Sequence, residues 1–159
     1  MSAAESGIAS CGSAPTACFE LVFAPAHQTK RPAPWQGAPG CVVAFEPGGL
    51  ALHFAPARWL LIDVGARVAD AAVDAGAVLI DVQGKWRLFK FATAQGNQLL
   101  CTAIDLSAIL SQRECAAATV FDVPSVIAHL GDSSAYLVCV PASYAMSFAA
   151  SLRHAARES

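Results

Sequence analysis

From Cys41 onward the chain is a series of short apolar runs: "CVVAFE", "GGLALHF", "RWLLIDV", "AVLIDV", "WRLFKF", "AATVFDV", "SVIAHL" and "AYLVCV". Pro, Gly, Asp and Ser separate them, and runs of this length bounded by turn residues predict strands. A chain of this kind folds around a sheet, and helices can only be fitted between the strands. "ARVADAAVDAGA" places Val68, Ala71, Ala72 and Ala75 on one face and Arg67, Asp70 and Asp74 off it. That pattern predicts a short amphipathic helix stopped at Gly76. "QGNQLLCTAIDL" predicts a second short helix from about Gly96. A last helix is expected from about Tyr144 to Ala156, with Ala145, Phe148, Ala149, Leu152 and Ala156 on one stripe. Arg153, His154 and Arg157 fall in its final turn, where positive charge complements the helix dipole.

The breaks between strands suggest their pairing. Gln83, Gly84 and Lys85 read as the turn of a hairpin joining "AVLIDV" to "WRLFKF". A second hairpin is expected around Pro124, and "GDSS" turns the chain into "AYLVCV". There is also an internal echo: "RWLLIDVGARVADAAVDAG" and "AYLVCVPASYAMSFAASL" are both strand, break, helix. The expected fold class is α+β, a pseudo-repeated and mostly antiparallel sheet with helices packed on one face. At 159 residues the chain is one domain. Residues 1–40 stand apart, rich in Ala, Ser, Gly and Pro, with Phe19, Leu21, Val22, Phe23 and Trp35 as their few large side chains. They are expected to be a flexible N-terminal arm, in which "CFELVF" is a short strand or a docking peptide, before an ordered domain at 41–159.

Hydrophobic residues make up 55% of the chain and charged residues 14%. So thin a charged coat suggests that a partner covers part of the apolar content. The formal charge is −2 and the Lys and Arg are scattered, which excludes the basic footprint of a nucleic-acid binder. Cys11, Cys18, Cys41, Cys101, Cys115 and Cys139 contain no C-x-x-C and no Cys/His spacing suited to zinc, so free thiols are expected. With no basic, apolar leader and no run long enough to span a bilayer, a cytoplasmic location is expected.

The best position for a nucleophile is in "YLVCVPASYAMSF", where Ser143 follows a strand and precedes a helix. A hydrolase elbow needs glycines around its serine, and Ser143 has Ala142 and Tyr144, so an N-cap is the expected role. Cys139, mid-strand without a basic neighbour, is expected to pack in the core. His27 and His53 lie in or before the proline-rich entry region, His129 in "SVIAHL" and His154 in the last helical turn. No two have the spacing of metal ligands. Asp63 and Asp81 end equivalent strands and read as turn or helix caps. "GNQLL" and "PGGLAL" lack the spaced glycines of a dinucleotide loop, and there is no G-K-S/T. Trp59 and Trp86, each heading a strand, are expected to cap the core. No catalytic, cofactor-binding or metal-ligating residue is assigned.

Four strings, taken in order, carry a resemblance: "RWLLIDV", "IDVQGKWRLFKFATAQGNQLLCTAIDLSAI", "CAAATVFDVPSVIAHL" and "AYLVCVPASYAMSFAASL". Between about Leu50 and Ala156 the chain resembles the gamma subunit of heterotetrameric sarcosine oxidase, a family similar to part of the glycine-cleavage aminomethyltransferase and its folate-binding fold. Its marks here are "R-W-L-L", "I-D-L" at Ile104 to Leu106, and "V-P-x-S-Y-A" at Val140 to Ala145. The family commonly has Gly-Pro where Ala94 and Gln95 stand and Arg where Ala142 stands. The resemblance implies a structural subunit with no catalytic site, assembled with alpha, beta and delta subunits. Those partners would hold FAD, FMN, NAD, zinc and tetrahydrofolate and demethylate sarcosine oxidatively to glycine, passing on the one-carbon unit. The alternatives are a gamma-like subunit of a related N-methyl amino acid dehydrogenase and a stand-alone small ligand-binding or interaction domain. A free-standing folate-dependent transferase would need a longer chain, and the "K-G-C-Y-x-G-Q" signature of an iron–sulfur-related folate protein is absent.

Overall fold

The computed structural model describes residues 12–24 and 31–158. Two antiparallel sheets stack face to face, and helices cover the outer side of each. The first sheet holds β1 (Cys18–Phe23), β2 (Val42–Phe45), β3 (Gly49–Ala55), β4 (Arg58–Ile62) and β5 (Ala77–Asp81), in the spatial order β2-β3-β4-β1-β5. Helix α1 (Ala66–Asp74) links β4 to β5. The second sheet holds β6 (Trp86–Ala92), β7 (Cys115–Val120), β8 (Val123–Leu130) and β9 (Ala135–Pro141), in the order β6-β9-β8-β7. Helices α2 (Thr93–Leu100) and α3 (Leu106–Leu110) lie between β6 and β7, and α4 (Ala145–Glu158) follows β9.

The two-residue period of a strand sends alternate side chains into two different cores. Leu52, Leu60 and Ile62 of the first sheet meet Trp86, Val126, Leu137 and Cys139 of the second. Their neighbours Leu21, Phe23, Trp59 and Leu61 pack on the outer side with Ala72 of α1 and Trp35. In the second sheet Phe89, Phe91, Val138 and Val140 face Leu99, Leu100, Phe148, Ala149 and Leu152 of α2 and α4. Strands buried on both faces read as continuous apolar runs, which explains how 55% apolar residues fit one chain. A Cβ on Gly96 would overlap the Tyr136 ring, so α2 lies close against β9 because residue 96 has no side chain.

The expected α+β class is observed. The "AATVFDV"/"SVIAHL" hairpin is β7–β8; its turn is Phe121–Asp122, both at positive φ, and Pro124 sits inside β8 opposite Thr119. The stripe on α4 is buried as expected.

Several expectations are corrected. Residues 18–23 are not an arm: β1 lies inside the first sheet, paired with β4 on one side and β5 on the other. Trp35 is buried beside it, so the ordered domain does not begin at Cys41. Residues 1–11 and 25–30 of the expected arm lie outside the described residues. The Gln83–Lys85 turn is present, closed by Lys85 N–H on the Val82 carbonyl, but β5 and β6 do not form a hairpin. β5 joins β1 and β6 joins β9, so the chain crosses here from one sheet to the other. The helices do not share one face, since each sheet carries its own on its outer side. On α1 the buried residues are Ala69 and Ala72, and Ala71 points outward. Helix α2 begins at Thr93, and the "IDLSAIL" segment forms a separate α3.

Candidate functional site

Ser143 lies exposed in a 3₁₀ turn, Ala142–Tyr144, that leads into α4. The N-cap position of that turn is Pro141, and no side-chain cap is made, so the expected capping role is corrected. The Ala142 N–H at the start of the turn donates instead to the Lys85 carbonyl at 2.7 Å. Ser143→Ala is therefore expected to change stability by less than about 0.5 kcal/mol in a urea melt, as at an ordinary surface position. A loss near 1 kcal/mol would restore the cap.

Asp105 is the cap that sequence reasoning missed. Its carboxylate accepts from the Ala108 N–H at 3.0 Å and from the Ser107 hydroxyl at 2.6 Å, starting α3. These bonds, the Ser107 hydroxyl first, hold its pKa below the ordinary value. An aspartate directly before "LSAIL" was the available signal. Asp81 acts at a turn, as expected, accepting from Gln83 N–H at 2.8 Å, but Asp63 is corrected: it does not cap α1, whose N-cap is Gly65, and its carboxylate accepts from the distant Ala17 N–H at 2.9 Å.

Cys139 is fully buried in β9, and burial raises its pKa far out of the neutral range. Burial likewise pushes Cys18 and Cys115 up to about 12. Cys18, Cys41, Cys101, Cys115 and Cys139 are free thiols; Cys11 and His27 lie outside the described residues. Trp59 and Trp86 are core residues, as expected. His154 is exposed, 3.2 Å from Glu158. His129 is half-buried against the Tyr136 ring, whose hydroxyl donates to Asn97 at 2.9 Å.

Among the described residues His53 proves to be the buried histidine. It lies in β3, not in the entry region, and its ring stacks on Trp59 at 4.2 Å. Cys41 Sγ is 3.9 Å from its Nδ1, and the Cys115 thiol donates to the Cys41 carbonyl at 3.2 Å. Burial first, then the positive charge of Arg31, push His53 down to about 4; the Ala38 carbonyl opposes the shift. Burial also raises Cys41, so at neutral pH this is a thiol beside a neutral imidazole and not an activated nucleophile pair. The unfolded chain binds a proton at His53 below about 6.5, which the folded chain refuses until about 4. Stability therefore falls as pH drops through that window, by on the order of 3 kcal/mol. Urea melts of the wild type and His53→Phe across the window check this. The variant's stability should vary much less with pH, and parallel curves would exclude His53 as the source.

A surface groove of about 330 Å³ lies between the sheets' edges, lined in part by Val42, Leu50, Lys90, Glu114, His129 and Ser133. Its carboxylate is already engaged, since Glu114 accepts from Val42 N–H at 2.9 Å. Glu114 also accepts at its backbone carbonyl from the His129 N–H at 2.7 Å, which fixes the two residues side by side in the groove. Among the described residues, no group of three His, Cys, Asp or Glu could hold a metal, and no helix is long and apolar enough to cross a membrane.

The strongest electrostatic feature is a buried carboxylate. Glu20, on β1, accepts from Arg58 at 2.8 Å and from Lys85 at 2.6 Å. Arg58 heads β4 and Lys85 stands in the crossover turn, so one carboxylate ties the first sheet to the entry of the second. Burial opposes its charge, but the hydrogen bonds from Lys85 and Arg58 outweigh that, and its pKa lies below the ordinary glutamate value. The sequence signal was the single acid of "CFELVF".

This arrangement defines a two-sheet α+β module. No family model matches the chain, and no curated protein matches it either. A solved structure does: a chain of the heterotetrameric sarcosine oxidase from Corynebacterium sp. U-96, in complex with pyrrole 2-carboxylate. The two share the fold with a TM-score of 0.69 at 17% identity, over 92% of this chain and 82% of that one.

Proposed function

We propose that the chain is a non-catalytic structural subunit, gamma-like, of a heterotetrameric sarcosine oxidase-type complex. The observation that carries this reading is the extent of the shared fold, which runs over 92% of this chain and 82% of its counterpart. The chemistry of the interior supports it. The buried thiols stay protonated, the buried histidine stays neutral, and Ser143 has no base beside it in the 3₁₀ turn. In this reading alpha, beta and delta subunits hold FAD, FMN, NAD, zinc and tetrahydrofolate, and this chain shapes or braces their assembly in the cytoplasm. Its own residues offer neither a glycine-rich dinucleotide loop nor a three-ligand metal set among those described, so no step of the reaction is assigned to them.

Exposed apolar side chains give such a subunit surface to bury. Val78 and Ile80 lie 62% and 44% exposed on β5, whose outer edge is unpaired among the described residues, and Val73 is exposed on the adjoining α1. An edge strand with apolar side chains is an adhesive surface when left uncovered. The test of function is turnover by the complex that contains this chain. Purified through it, the complex should consume sarcosine or a related N-methyl amino acid and release the demethylated amino acid. No turnover with any N-methyl amine, from a complex that retains its flavin, would contradict the proposal.

A further inference from the structure

The inner face of the first sheet runs on past the second sheet. Residues paired across antiparallel strands share a face, so the register sets out the rows of that surface. Cys18 pairs with Ile62, and both lie in the core between the sheets. In the next row Glu20 pairs with Leu60 and Ile80, and cover ends part-way along it: Leu60 and Glu20 are buried, while Ile80 is 44% exposed. Beyond that, Val22 pairs with Arg58 and Val78; Val22 is half-buried, Arg58 exposed and Val78 62% exposed. This last row forms a shelf that no layer covers among the described residues. On the opposite face of the same strands Leu21, Phe23 and Leu79 pack in the outer core.

Cations border the shelf. Arg58 donates to Glu20 at 2.8 Å and Lys85 at 2.6 Å, yet their side chains stay 49% and 48% exposed. The Arg58 guanidinium also lies 5.4 Å over the Phe54 ring. Two cations therefore share one carboxylate, and a guanidinium and an ammonium each keep further N–H donors beyond the bond given to Glu20. Asp81, the acid that ends β5, does not balance them on this face. It shares its row with Phe19, which packs on the outer core, and its carboxylate accepts from Gln83 N–H.

We propose that this shelf docks a segment of a partner chain that lays apolar side chains on Val22, Val78 and Ile80 and sets an Asp or Glu against Arg58 and Lys85. The acid supplies the second carboxylate that two cations can hold, and opposite charge at the border of an apolar contact fixes the partner's register. A second copy apposed shelf to shelf brings apolar area but no free acid, because the carboxylate on its shelf is Glu20, already held by its own two cations. The inference rests on the subunit reading and names the surface that reading needs.

The test uses the tagged full-length chain and the chains that co-purify with it. Val78→Asp puts a carboxylate under the partner's apolar side chains and should weaken partner binding about ten-fold or more. Met146→Asp, on α4 at a residue of like exposure (63%), should leave binding unchanged. Both positions are exposed, so both isolated variants should melt with the wild type. In the wild-type complex a carbodiimide, which joins an amine to an adjacent carboxylate, should link Lys85 to an Asp or Glu of a partner, and Lys85→Arg should abolish that link. Partner binding retained by Val78→Asp, an equal loss with Met146→Asp, or Lys85 linked only to Glu20 overturns this inference and leaves the subunit reading standing. A chain that purifies alone, or only with copies of itself, overturns both.

Discussion

A chain shortened to begin at Cys41 is expected not to fold. The deletion removes β1 from the interior of the first sheet, where it makes five registered residue pairs with β4 and five with β5. β5 would then have no neighbour, and α1, which packs on it, would lose its support. Leu21 and Phe23 leave the outer core together with Trp35, and truncating side chains of this kind costs about 2–5 kcal/mol each. A small domain has about 5–15 kcal/mol in all, so the loss exceeds what the fold can absorb. The Gly40 carbonyl, which accepts from Glu114 and Cys115 N–H at the start of β7, goes too. Circular dichroism and a urea melt of the truncated chain check this, and a cooperative transition near the wild type's would contradict the placement of β1.

The second large effect is expected at Glu20, and it is asymmetric. Replacing Arg58 or Lys85 by Met removes one charge-assisted hydrogen bond from the buried carboxylate and leaves it one half-exposed cation, at a cost of about 1.5 kcal/mol. The triple variant Glu20→Leu, Arg58→Met, Lys85→Met should recover most of that loss. Apolar side chains of similar volume need no solvation, whereas the charged cluster gives up water to form. Denaturant melts of the two single variants and the triple decide the matter. If the triple is no better than the singles, the ion cluster contributes net stability and the asymmetry is wrong. Because the Glu20 pKa is held below its ordinary value, its contribution is present above the unfolded pKa near 4.5. It is lost as pH falls through the lower folded value.

The strands from Cys41 onward were legible because their apolar runs are bounded by turn residues, and α4 because its stripe repeats at helical spacing. β1 was not, since its six residues sit among prolines and glycines and are recruited by contacts with strands forty and sixty residues away in the chain. The β5–β6 error has the same origin. Gln83–Lys85 makes a real turn, but local sequence cannot say that β5 has a better partner in β1. Ser143 looked like a cap because a serine stood before an apolar stripe, yet the 3₁₀ turn placed it one step inside. His53 and Arg31 were opaque for a different reason. Their environments are assembled from separate segments, and no spacing in the sequence announces that Trp59 will stack on one and Phe23 will lie under the other.

The central claim is that the chain works inside a flavin-bearing assembly. Its most direct test is to purify the tagged chain from its native cells, identify the co-eluting chains by mass and record the visible spectrum of the eluate. A yellow complex with three further subunits, in constant proportion to this chain through a sizing column, is the expected result. A colourless chain that elutes without partners would contradict the claim and favour a small ligand-binding domain that shares only the fold.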